Sequence, residues 1–180
     1  IDFIKEFDQV DFKEAVKRLT DNGFKRTKAK PAKDDPAKVL TVKQRKLLAR
    51  VVGHYQHALG GKDTKGLDYL QDKRGITDTQ SLKDFGAGYA NGTLLGILPE
   101  DPQVIKDLKT IGILNAKGNE VFYNCVVFAL YSSRGSIVNL YGRNIDDEAG
   151  TTHLYLPGPR SGLVNRAAVK RSQTIILTES

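Results

Sequence analysis

Apolar and polar positions follow two different periods along this chain, and the change of period divides it. Between Thr41 and Leu59 the apolar residues Leu47, Leu48, Val51, Val52, Tyr55 and Leu59 line one stripe, which predicts an amphipathic helix. Thr41 can cap its start, and Gly60-Gly61 ends it. Residues 1–24 carry a second helical stripe, Phe12, Ala15, Val16 and Leu19. There Asp11 and Glu14 are placed as a capping box and Asn22-Gly23 as a stop. Shorter helices joined by glycines are expected at 64–76, 78–86, 92–98 and 101–110. Asp101-Pro102 suits an N-cap followed by proline at the first helical position. Beyond residue 119 the pattern becomes strand-like. Phe122 to Tyr131 is dense in β-branched and aromatic residues, and Ser136 to Arg143 alternates imperfectly. Between them, Ser132 to Gly135 forms a reversal in which Gly135 can supply a positive φ. This predicts neighbouring strands at 121–130 and 136–142. His153 to Pro157 reads as a short strand or edge ending in proline, Pro157 to Gly162 as a loop, and Thr174 to Thr178 as a buried strand. The expected fold class is α/β of the α+β kind: a helical amino-terminal part, then a mixed domain with a small, largely antiparallel sheet.

Charge adds a partner class to this picture. The net charge is +7, which leans towards a polyanion, nucleic acid first. Residues 25–40 hold Lys25, Arg26, Lys28, Lys30, Lys33 and Lys38 among prolines and aspartates, with little to bury, and read as a basic linker. The single cysteine, Cys125, sits in an apolar strand-like run and makes no intrachain disulfide, which fits a reducing cytoplasm and a small buried thiol. No apolar run is long enough to span a bilayer, and no membrane partner is expected. The chain opens on Ile1, contains no methionine and closes on a strand that needs neighbours, so a piece of a longer protein is the expectation.

No complete catalytic set is visible: no HExxH, no Cys-His zinc pattern, no P-loop and no G-x-S-x-G. His54 and His57 are three apart on a helix but have no third ligand nearby. Asp146-Asp147-Glu148 reads as solvated charge rather than a metal site, because magnesium needs carboxylates that converge with phosphates. The basic residues Arg74, Arg143, Arg160, Arg166, Lys170 and Arg171, in loops and at the ends of elements, are the better candidates. Arginine offers a planar fork suited to phosphates and bases.

The strand, the glycine turn and the second strand ending in Gly142-Arg143 resemble the catalytic core of the bacterial DnaG-type primase family. Leu67-Asp-Tyr-Leu-Gln-Asp-Lys-Arg-Gly-Ile76, followed by Phe85-Gly-Ala-Gly-Tyr-Ala90, is similar to that family's "YL..RGI … F..GYA" segment, in the same order and spacing. Leu108 to Leu114 matches the segment where a helix ends on glycine before the sheet. Ile1 to Leu19 resembles the tail of the family's zinc-ribbon domain, and "TIILTES" its first TOPRIM strand.

The resemblance implies a zinc-domain tail at 1–24, a linker at 25–40, the amino-terminal subdomain of the core at 41–173 and the start of TOPRIM at 174–180. It implies that Arg74 and Arg143 face the groove for template and nucleotides, and that Glu179 is the counterpart of the catalytic glutamate. Arg160, Arg166 and Lys170 join them as nucleic-acid or nucleotide contacts on the strength of their charge. Mg²⁺ or Mn²⁺ would serve the full-length enzyme and Zn²⁺ the upstream domain, with no metal expected on the residues present. The implied partners are single-stranded DNA template, ribonucleotides and a replicative helicase reached through a further domain. The implied setting is the cytoplasm, at the nucleoid.

Two departures point to a divergent branch, from a mobile element or plasmid. The family's "KYLNSPET" lysine is missing: one register puts Leu154 there, another His153. Cys125 fills a place where many members carry arginine. The alternative functions are a non-catalytic basic module for single-stranded nucleic acid, and a docking domain whose charge is incidental.

Overall fold

The computed structural model describes residues 40–158, 160–172 and 174, together with Lys13 and Lys17 as isolated helical positions. The chain divides into two units, Ile1–Val39 and Leu40–Ser180, and every element named below belongs to the second. The stop at Asn22-Gly23, the linker as far as Val39 and the terminal run from Ile175 through Glu179 lie outside the described residues.

Helix α1, Val42–Leu59, starts on a capping box: Thr41 Oγ1 accepts from the Gln44 N–H at 3.2 Å, and the Gln44 side chain accepts from the Thr41 N–H at 3.0 Å. Its stripe of Leu48, Val51, Val52, Tyr55, Ala58 and Leu59 is buried. Helix α2, Lys65–Asp68, runs directly into a π-helical turn, Tyr69–Lys73. Helix α3, Thr79–Asp84, is capped by Asp78, and strand β1, Ala87–Ala90, follows it. Helices α4, Leu94–Ile97, and α5, Pro102–Ile111, lead back to the sheet. Asp101 caps α5, and Gly112 ends it at φ 96°, a left-handed value that suits glycine. Strands β2, Cys125–Tyr131, β3, Ile137–Asn144, and β4, His153–Tyr155, complete the sheet, and α6, Ala168–Arg171, is the last described helix.

The four strands pair antiparallel in the order β1-β2-β3-β4. Successive side chains of a strand point to opposite faces. Cys125, Val127 and Ala129 of β2 join Leu48, Val51, Val52 and Tyr55 of α1 and Leu108 and Ile111 of α5 in the larger core. Val126 points the other way, to Tyr89, Tyr69, Leu70 and Leu82. One face is therefore covered by long helices. The other is capped only in part, by the π-helical turn and α3, and this partial cover leaves the candidate site on the sheet.

Two elements differ from the sequence expectation. Strand β1 was not expected, since Ala87–Ala90 lacks the β-branched residues that mark strands. It forms because α1 lies directly on its backbone: a Cβ on Gly88 would stand 2.8 Å from the Tyr55 carbonyl carbon. Strand β2 begins at Cys125, not at residue 121. Asn124 sits at φ 61°, and its N–H donates to the Ala90 carbonyl at 2.8 Å, so residues 121–124 form a turn. The hairpin turn is as expected, with Gly135 at φ 79°. Among the described residues, no helix is long and apolar enough to cross a membrane.

Candidate nucleic-acid interface

Residues paired across antiparallel strands share a face. The register therefore builds two rows across the partly covered face. One row is Tyr89, Val126, Arg143 and His153; the next is Ala87, Phe128, Tyr141 and Tyr155. The aromatic rings are close: Phe128 to Tyr141 at 6.3 Å, Tyr141 to His153 at 5.8 Å and Tyr141 to Tyr155 at 5.2 Å between centroids. Arg160 places its guanidinium carbon 4.4 Å from the centre of the Tyr155 ring.

The polar end of the face is organised by a tyrosine. The π-helical turn directs the Tyr69 hydroxyl over Arg143, whose Nε donates to it at 3.2 Å. Arg74, the residue that closes that turn, donates to the same oxygen through Nε at 2.8 Å and through Nη2. Arg143 also reaches His153 Nε2 at 2.8 Å and the Asp147 carboxylate at 3.2 Å. A guanidinium has no acceptor, so His153 Nε2 must be the acceptor here. Its proton is then assigned to Nδ1, which donates to the Tyr141 oxygen at 2.8 Å. Lys73 shares the Asp147 carboxylate, at 3.1 Å.

The electrostatics follow from these contacts. The Tyr69 hydrogen bond, first among several causes, raises the Arg143 guanidinium above its ordinary value, so it stays a cation at any working pH. Asp147 is held below the usual carboxylate range, chiefly by the Lys73 hydrogen bond and charge and then by Arg143. Burial pushes the Tyr141 phenol up, so it stays neutral. The arrangement offers phosphates the N–H groups of Arg74 and Arg143 that Tyr69, His153 and Asp147 leave open, beside a row of rings on which bases can stack.

The structure brings Arg74 and Arg143 together and adds Arg160 at the edge of the ring row. Arg166 lies elsewhere, in a cavity at the hairpin turn. Lys170 is in α6, and Glu179 is outside the described residues. Leu154 pairs with Gly142 and packs against the larger core, so His153 is the residue of that segment that stands beside Arg143. Asp147, expected as solvated charge, has a side chain 49% exposed and also bridges Lys73 and Arg143. Cys125 is fully buried, and burial raises its thiol to about 12. His54 bonds to Thr93 at 3.0 Å. Among the described residues no three His, Cys, Asp or Glu side chains are grouped to hold a metal.

Sequence reasoning missed Tyr69, Lys73, Tyr141 and Tyr155. The spacing of two in Tyr141/Arg143 and in His153/Tyr155 is the signal that marks a shared strand face. Tyr69 carries no such signal, because its role depends on a contact with a distant part of the chain.

The model of the family "DNA primase catalytic core, N-terminal domain" matches residues 54–165. Among solved structures, a DNA primase domain from Pseudomonas aeruginosa is similar, at 26% identity and a TM-score of 0.56, over 65% of this chain and 39% of that one. A DnaG primase catalytic domain bound to single-stranded DNA is similar at 22% identity and a TM-score of 0.56, again over 65% and 39%. The E. coli primase catalytic core is similar at 20% identity and a TM-score of 0.55, over 64% and 39%. This chain thus spans about two fifths of the solved chains it matches. No curated protein matches it in sequence.

Proposed function

Because the chain belongs to the DNA primase family, through the N-terminal domain of its catalytic core, we propose that it holds template and nucleotide phosphates in an enzyme that makes short RNA primers on single-stranded DNA. One observation carries this reading: two arginines far apart in sequence, each within a primase-like motif, converge on the Tyr69 hydroxyl on one open sheet face. Arg74 and Arg143 grip phosphates, and Arg160 adds charge at the edge of the ring row. Phe128, Tyr141 and Tyr155 give bases a sequence-tolerant surface. The net charge of +7 and the DNA-bound relative support the same reading.

On this proposal residues 41–173 are the core subdomain, between a zinc-domain tail with its linker and the first TOPRIM strand at 174–180. Mg²⁺ or Mn²⁺ would supply the chemistry of nucleotide addition, and Zn²⁺ belongs to an upstream domain. Among the described residues the donor set does not fit a metal. Glu179 is proposed as the catalytic carboxylate. Ribonucleotides, a replicative helicase and a cytoplasmic setting complete the proposal.

Fluorescence anisotropy of a labelled oligonucleotide over a salt series tests it. Arg74→Ala and Arg143→Ala should each weaken binding about equally across sequences and lower the log–log salt slope by roughly 0.7. Unchanged affinity and slope in both variants, with the fold intact, would place the binding surface elsewhere.

A further inference from the structure

The other end of the β2–β3 hairpin carries a second concave surface, a cavity of about 550 Å³. Its walls come from three segments: Asp84 at the end of α3, Tyr131, Ser133 and Arg134 at the hairpin turn, and Asn165 and Arg166 beyond it. The last segment is tied to the hairpin by reciprocal backbone bonds between Tyr131 and Leu163, at 2.9 and 3.0 Å. Gly162 allows the close approach, since a Cβ there would stand 2.8 Å from the Val138 side chain. The cavity is thus framed by fixed backbone.

Its chemistry is unspent. Among the described residues, neither the Arg134 nor the Arg166 guanidinium has a hydrogen-bond or ion-pair partner. Two cations lining one concavity call for an anion, and the guanidinium fork matches phosphate oxygens. Tyr131, which packs in part against the larger core, supplies the aromatic residue of the lining. Asp84 argues against a continuous strand, whose phosphates it would repel, yet its carboxylate can accept ribose hydroxyls. One of its oxygens already takes the Gln80 amide at 2.9 Å, which leaves the other available. The volume falls in the range of small-molecule pockets.

We propose that this cavity binds a mononucleotide, a nucleoside phosphate, as a site separate from the Arg74–Arg143 face. The length of β3 puts the two about 20 Å apart, beyond the span of one nucleotide. The cavity therefore takes its ligand independently of the template surface.

A heteronuclear NMR titration of the 180-residue chain tests this, with ATP as the probe and inorganic phosphate and a short oligo-dT as comparison arms. ATP should shift the amides of residues 133–135 and 165–167 in a saturable way. Arg134→Ala with Arg166→Ala should weaken that response by about tenfold or more while shifts at Tyr141 to Asp147 persist. If the double alanine variant fails to fold, Arg134→Gln with Arg166→Gln removes the charge at nearly constant volume and should show the same loss. No saturable shift at those amides with millimolar ATP would overturn the proposal, as would a response that survives loss of both arginines. Inorganic phosphate binding as tightly as ATP would reduce the site to a bare anion hole, and oligo-dT binding there more tightly than ATP would make it a strand contact. Either result also overturns the mononucleotide assignment.

Discussion

Replacing Tyr69 with phenylalanine isolates the contact on which the candidate interface depends. The ring stays, so the packing of Tyr69 against Leu70, Tyr89 and Val126 is kept. Only the oxygen that receives Arg74 and Arg143 is lost. A hydrogen bond to a charged donor contributes about 1.5–3 kcal/mol where both partners are dry. Arg74 is exposed, and water replaces the hydroxyl there. The Arg143 side chain is only 20% exposed, but it keeps His153 and Asp147. A net loss of about 1–2 kcal/mol follows, read as a lower urea midpoint at unchanged slope. The binding signature is more specific. Both charges remain, so the salt slope of single-stranded DNA binding should not change. The two forks lose their shared orientation, so affinity should fall by about 3–10-fold. Wild-type affinity in Tyr69→Phe would refute the idea that the hydroxyl aligns the arginines for phosphate, and a slope lowered by a full contact would show that the variant displaced a cation instead.

Asp147→Asn removes the anion shared by Lys73 and Arg143 and should tighten single-stranded DNA binding by roughly threefold in the same anisotropy assay. Gly88→Ala drives a methyl into the Tyr55 backbone, which cannot move aside as a side chain could, and should cost about 2–3 kcal/mol in urea unfolding. Glu120 is buried with neither carboxylate oxygen hydrogen-bonded among the described residues, and burial raises its pKa although the nearby Tyr55 hydroxyl partly offsets this. A raised folded value means that its stabilising contribution is complete below the unfolded value of about 4.3 and is lost as pH climbs through the folded value. Urea midpoints measured from about pH 4 to about pH 8 should therefore fall with pH in the wild type, with a shallower fall in Glu120→Gln.

The long helices were legible because their stripes and caps are local: Thr41, Asp101 and Gly112 act within a few residues of themselves. The hairpin was legible for the same reason, through Gly135. Strand β1 was not, because a strand of two alanines, a glycine and a tyrosine is selected by what packs on it. Its glycine answers to Tyr55, on an element well separated in sequence. The start of β2 was misplaced because the left-handed conformation of Asn124 cannot be read from an apolar run. Arg74 and Arg143 were legible only through motif resemblance. Nothing local to either residue announces the tyrosine that joins them. Arg166 and Arg160 looked alike as isolated charges, and only the register of the sheet and the path of the loop separate them, one onto the ring row and the other into a distant cavity.

Photo-cross-linking of single-stranded DNA carrying a halogenated base, followed by peptide mapping, tests the central claim most directly. Cross-links should fall on the ring row, at Tyr141, Tyr155 or Phe128, and should diminish when Arg143 is replaced by alanine. Cross-links confined to the exposed surfaces of α1 and α5, unaffected by Arg143→Ala, would contradict the assignment of the open sheet face as the nucleic-acid surface.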